Sequence, residues 1–306
     1  MSAHGESNPR ESGQTPGESG SPEPGPGRPP RSGGAARATR RLAVRRTAAL
    51  FSGLLLLSAA LLIWSVKRPD SKVLFQGQPH AYKYEEYVSS EGVRLHLMRV
   101  APGDVELRAA GVPLKETAAY GINGGFFYEK ALLSIAIMND RPAGGDERGP
   151  GSGWFNAKYA RGTLVWDGAS RLFSVQVVSS GDDIAVLDRG HYWAQGGVSM
   201  NLGDEAGWTA AAAAQRLPFS EERRLRSGMV YNAAGELRLI VSSTLCTGEA
   251  FRRAVLEAVP GEGREGIYLD GDGSSQMNAD EAVLTGDGRP VMQMIAVKPA
   301  IVKEAE

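Results

Sequence analysis

The segment Gly266-Ile-Tyr-Leu-Asp-Gly-Asp-Gly-Ser-Ser-Gln-Met277 runs an apolar stretch into a carboxylate and follows it with glycines and hydroxyls. Asp270 and Asp272 offer acids or anions, and Ser274 and Ser275 offer hydroxyls. Gly271 and Gly273 let the backbone turn tightly and come close to a ligand. That combination suits a loop that binds a polar molecule. The same residue types also build an ordinary polar turn between strands, so the loop alone does not separate the two. A second stretch, Gly121-Ile-Asn-Gly-Gly-Phe-Phe127, leads an apolar residue into an amide, two glycines and two aromatics. Asn123 can donate and accept, and Gly124 and Gly125 can expose backbone N–H groups. Phe126 or Phe127 can wall a sugar site or pack into a core.

The elements around these stretches are mostly strands. Residues 93–100 alternate for much of their length, and 105–110, 164–166, 172–178 and 237–241 are short runs bounded by Gly, Asp or Pro. Residues 291–297 read as a closing strand. Helical signal is scarce: 249–259 carries Phe251, Val255, Leu256 and Val259 on one face with Thr247 as N-cap, and alanine-rich 210–216 makes a short helix. A helix leading directly into 266–270 sets Asp270 at the carboxyl end of a strand, where ligand loops often lie. The expectation is an α+β domain, strand-rich with mixed sheets and few helices.

The chain has 306 residues, 42% of them hydrophobic, and a formal net charge of -1, enough for an ordinary core and no case for nucleic-acid binding. Cys246 is the single cysteine, which excludes an internal disulfide and any CxxC site. Residues 1–46 hold eight Arg against four Glu with few large apolar residues, and read as a disordered basic tail. Residues 47–66 carry no charge and match the roughly 20 residues that span a bilayer. Trp64 lies near one end, while Arg37, Arg40, Arg41, Arg45 and Arg46 crowd the other. The run is longer than a signal-peptide core, so a transmembrane signal anchor is expected, with the tail cytoplasmic. Residues 67–84 then form a linker and 85–306 one domain, periplasmic or extracellular, on a single-pass membrane protein of bacterial character.

Taken together, Asn123-Gly-Gly-Phe-Phe127, Arg226-Ser227-Gly228 and Leu269-Asp-Gly-Asp-Gly-Ser-Ser275 resemble, in order and spacing, the motifs of the phosphodiester glycosidase family. The likeness covers residues 93–297. It implies hydrolysis of a sugar-1-phosphodiester at the glycosidic bond, here in an envelope or exported glycan. Asp270, Arg226 and Asn123 would be the catalytic residues, with Gly124, Gly125, Gly271, Asp272, Gly273, Ser274 and Ser275 holding substrate. Arg226 would bind the phosphate through its planar fork, and Asn123 would orient a sugar hydroxyl or water. Asp272 stands where the commoner family loop has Gly, and Ser227 where Thr is usual.

Other readings of the same residues stay open. Arg226 closes the mixed-charge run Glu221-Glu-Arg-Arg-Leu-Arg226, which by itself suits a solvated surface. His96 reads as a packed strand histidine, whereas His191, among aromatics, could border a sugar site. No cofactor is required, but Asp270, Asp272, Ser274 and Glu281 partly imitate a calcium loop, so calcium is the divalent-cation candidate. Ser275 occupies the position where an EF-hand demands Gly. A non-catalytic glycan-binding module of the same fold is the alternative to an enzyme.

Overall fold

A computed structural model describes residues 53–58, 77–145 and 147–300. The chain divides into two compact units, Met1–Arg68 and Pro69–Glu306. In the first, residues 53–58 are helical with Leu54, Leu55, Leu56 and Leu57 exposed. The expected tail and the rest of the expected span at 47–66 lie outside the described residues, as does 67–76 of the linker. Among the described residues, no helix is long and apolar enough to cross a membrane.

The second unit is built from three main sheets. The six-stranded sheet runs Tyr82–Val88, Arg94–Val100, Leu237–Ser242, Ser227–Tyr231, Glu265–Tyr268, Val198–Ser199. One five-stranded sheet runs Leu172–Val178, Arg161–Asp167, Tyr192–Gly196, Ala136–Met138, Arg141–Pro142. The other runs Val283–Leu284, Met277–Asn278, Tyr120–Asn123, Val291–Val297, Val105–Val112. A small hairpin pairs Phe127–Tyr128 with Ala131–Leu132. The first strand opens at Tyr82, inside the stretch read as linker, because Tyr82 is buried against the core and pairs with Val100.

Two helices, Trp208–Ala214 and Gly248–Ala258, complete the α+β unit among residues 77–300. Among the described residues, the pairings between named strands are antiparallel rather than mixed, with one isolated parallel bridge between Leu132 and Ser152. The physical reason is connectivity. Parallel neighbours need a long crossover, and the crossover through the Gly248–Ala258 helix delivers Glu265–Tyr268 antiparallel to Ser227–Tyr231.

Both faces of the six-stranded sheet are covered. On one, Met98, Met229, Leu239 and Val241 pack with Ile122, Ile295, Leu107, Leu164 and Trp193 of the other sheets. On the other, Phe251, Ala254 and Val255 of the Gly248–Ala258 helix pack on Leu95, Leu97, Val230, Ile240 and Tyr268. Each large apolar side chain so buried contributes about 1.5–3 kcal/mol. The helix begins where expected, because Thr247 accepts a hydrogen bond from the Ala250 N–H at 3.1 Å. Packing on both faces makes the sheet a rigid base, and the segments leaving its strand ends can be fixed to a fraction of an ångström.

Candidate functional site

The Glu265–Tyr268 strand runs into the loop that carries Asp270. Asp270 lines a cavity of about 190 Å³ together with Phe126, Phe127 and Tyr268 and with a second wall segment, Leu217, Pro218 and Phe219. Gly271, Asp272 and Ser274 complete the near wall, and three guanidinium groups, Arg224, Arg226 and Arg289, border it. The structure thus brings together Asp270, Arg226, Gly271, Asp272 and Ser274 of the residues expected from sequence. Phe126 and Phe127 serve as the aromatic wall.

Asp270 reaches the cavity by one edge, while the rest of its carboxyl is surrounded by protein. Burial pushes it up to about 6, against hydrogen bonds from the Ser274 hydroxyl and the Gly271 N–H and the charge of Arg289, which favour the ionised form. The neighbouring charge of Asp272 pushes the same way as burial. A carboxyl poised near 6 can change protonation state close to neutral pH, as catalytic acids and bases do.

Asn123 is placed differently from expectation. It is buried and does not line the cavity. Its Oδ1 accepts from the Ser227 hydroxyl at 2.8 Å and the Gln276 N–H at 3.0 Å. Its Nδ2 donates to the main-chain oxygens of Asp270 at 2.8 Å and Gly124 at 3.2 Å. An amide offers two donors and an acceptor oxygen, so these bonds use its capacity. Asn123 ties three strand ends together and positions the Asp270 loop, and it has nothing left to orient a substrate.

Gly124 and Gly125 likewise pack rather than bind. Their N–H groups donate to Gln293, to its main-chain oxygen and its side-chain Oε1 respectively. A Cβ on Gly124 would lie 1.6 Å from Gln293 Oε1, and one on Gly125 would lie 2.5 Å from Ser134 Cβ. Gly273 is held against Asp287 and Arg289 in the same way, and its carbonyl accepts from the Asp287 N–H at 3.1 Å. Ser275 is buried outside the cavity lining, its hydroxyl without a hydrogen-bond partner among the described residues.

Arg226 lines the cavity but does not offer its fork. Its Nε donates to Cys246 O and its Nη1 to Pro218 O, while Nη2 donates to Phe219 O and Glu222 O. Burial disfavours its charge and lowers its pKa from the ordinary arginine value. It is a strut for the loop that forms the far wall. The mixed-charge run before it therefore does not leave Arg226 on a solvated surface. Arg224, from the same run, lies at the cavity with its Nη1 2.8 Å from Asp272 Oδ2 and its plane over the Phe219 ring at 4.6 Å.

Sequence reasoning missed Arg224, Arg289 and Phe219 as site residues. Arg224 and Arg289 sit in charged or turn-like stretches that carry no periodic signal, and only the folded loops bring them to one cavity.

The remaining candidates fall elsewhere. His96 is buried beside Tyr84 and Ser243, and burial lowers its pKa, as a packed strand histidine should behave. His191 is exposed at the turn before Tyr192–Gly196 and does not border the cavity. Glu281 accepts from the Tyr82 hydroxyl at 3.0 Å, away from Asp272, whose carboxylate faces Arg224. Among the described residues, no group of three or more His, Cys, Asp or Glu side chains is arranged to hold a metal ion.

No family model matches the chain. No curated protein matches it in sequence. In three dimensions it is similar to the zebrafish N-acetylglucosamine-1-phosphodiester alpha-N-acetylglucosaminidase catalytic domain, auto-inhibited by its pro-peptide. That match has a TM-score of 0.52 at 13% identity and covers 72% of this chain and 82% of that one. A hypothetical protein from Synechocystis (TM-score 0.38, 13% identity, 71% of this chain and 61% of that one) also matches. So does a putative exported protein from Burkholderia pseudomallei (TM-score 0.31, 15% identity, 73% and 59%). At 13% identity the likeness to the zebrafish domain is one of fold alone.

Proposed function

We propose that the domain is a hydrolase that cleaves a sugar-1-phosphodiester at its glycosidic bond, in a glycan of the envelope or an exported glycan. The observation that carries this reading is Asp270, a desolvated carboxyl near pKa 6 in the wall of a cavity bordered by guanidinium groups and aromatic rings. The shared fold with the zebrafish glycosidase domain supports it. The expected anchor at 47–66 belongs to the same reading and would deliver the domain to such a glycan.

The chemistry asks little of a general acid, because a phosphate is already a weakly basic leaving group. The bond between C1 and the phosphoester oxygen breaks, its electron pair leaves with the phosphate, and positive charge builds on the sugar ring. Asp270, ionised above pH 6, faces that charge. It then either bonds to C1 or removes a proton from the water that does, and retention or inversion at C1 distinguishes the two. The aromatic wall suits the apolar face of a sugar, and the guanidinium border suits the departing phosphate.

The test is incubation of the full-length chain with a panel of defined sugar-1-phosphodiesters, reading free sugar and phosphomonoester. Turnover is expected, with Asp270→Asn lowering it by about a thousandfold, a typical scale for loss of a central catalytic group. Saturable binding without turnover across the panel would leave a glycan-binding module instead. Turnover abolished by exhaustive chelation and restored by calcium would bring a cation into the mechanism.

A further inference from the structure

The three guanidinium groups of the cavity are not equivalent. Arg226 is consumed by four main-chain oxygens. Arg289 gives Nε and Nη2 to Asp287, two residues earlier in its own turn, and reaches no carboxylate of the Asp270 loop in these bonds. Arg224 gives Nε and Nη2 to Glu222 and directs Nη1 across to Asp272. Asp272 meets it from the Asp270 loop, on left-handed backbone at φ 55°. Glycine takes that conformation without strain, and a side chain there is held at some cost.

The Nη1 to Oδ2 distance of 2.8 Å is that of a charge-assisted bond from arginine to an oxyanion, whether carboxylate or phosphoryl. Asp272 Oδ2 therefore stands where a bound phosphoryl oxygen would stand. Both side chains are part-exposed, and an ion pair in that setting adds little to stability, so it can be exchanged for another anion.

We propose that Arg224 is the receptor for the substrate's phosphoryl oxygen and that Asp272 is its tethered competitor. The identity of the anion rests on the hydrolase reading; the competition does not. An incoming phosphate binds only in the fraction of molecules whose Arg224 has left Asp272, which lowers its apparent affinity. A lone anion is thus held weakly. A diester whose sugar also engages the aromatic wall gains enough to displace Asp272, so the pair selects for the whole substrate over its phosphate fragment.

Inorganic phosphate is the probe, titrated calorimetrically into the full-length chain at fixed ionic strength. Asp272→Asn is expected to bind it about threefold more tightly than the parent, and Arg224→Met about tenfold more weakly. In the Arg224→Met background, Asp272→Asn should bring no gain. A gain that persists there would mean a general field effect and would overturn the assignment. So would unchanged or weaker binding in Asp272→Asn alone, a gain of affinity being something misfolding cannot mimic. The expected order of affinities without turnover of any diester upholds the anion receptor while sinking the hydrolase. Turnover without that order does the reverse.

Discussion

Asn123 Nδ2 donates to the main-chain oxygen of Asp270 at 2.8 Å, so a residue 147 positions earlier fixes the backbone that carries the cavity's carboxyl. The bond explains why the two motifs occur together: one supplies the acid and the other holds it.

Asn123→Ala removes partners from the Ser227 hydroxyl, the Gln276 N–H and two main-chain oxygens, all buried or nearly so. It should destabilise the domain by about 2–4 kcal/mol, the range for opening a buried hydrogen-bond network. Urea denaturation measures this, and a loss under about 0.5 kcal/mol would contradict the clamp, since that is the scatter of ordinary surface substitutions.

Asp270 makes the fold less stable at neutral pH. Unfolded, its carboxyl ionises near its ordinary 3.8; folded, it ionises at about 6. Between those values the unfolded chain has already released a proton that the native state still holds. Its contribution to stability therefore falls as pH rises from about 4 to about 6 and is level above, with a deficit of about 3 kcal/mol at neutral pH. Asp270→Asn should be more stable than the parent at pH 7, the gap closing below pH 4. A variant less stable at pH 7, measured by denaturant melts across that range, would contradict the burial argument.

The same titration sets the expected rate profile. If the ionised form of Asp270 faces the sugar, kcat/KM for a sugar-1-phosphodiester should rise tenfold per unit below about pH 6 and level off above it. A profile that instead falls above pH 6 would make Asp270 a general acid.

Arg226→Met takes the side-chain donor from the carbonyls of Pro218, Phe219, Glu222 and Cys246; Phe219 O and Cys246 O keep only the Glu222 and Arg224 N–H groups. Amide hydrogen exchange across 217–224 should quicken by at least about tenfold. Arg226→Lys should not restore protection, because an ammonium cannot reproduce the planar fork. Unchanged exchange in Arg226→Met would show that the loop holds itself.

Much of the site was legible because its chemistry is written in contiguous stretches. The loop around Asp270, the helix capped by Thr247 and the aromatic pair Phe126 and Phe127 can all be read locally. What was not legible depends on contacts between distant segments. The glycines at 124 and 125 look in sequence like exposed backbone for a ligand, and only the position of Gln293 shows them as close packing. Arg224 and Arg226 differ by two residues in one charged run, yet one is a strut and the other borders the cavity with its charge paired to Asp272. No property of the run itself distinguishes them.

The bonds of Arg226 go to main-chain oxygens alone, so this part of the loop's support does not depend on which side chains the loop carries. Leu217 packs on the core and Phe219 lies under Arg224, so exchanges there act through those contacts and leave the Arg226 bonds in place. The cavity thus has one wall whose backbone path is braced independently of the chemistry its side chains present, while the acid and its clamp lie in other segments.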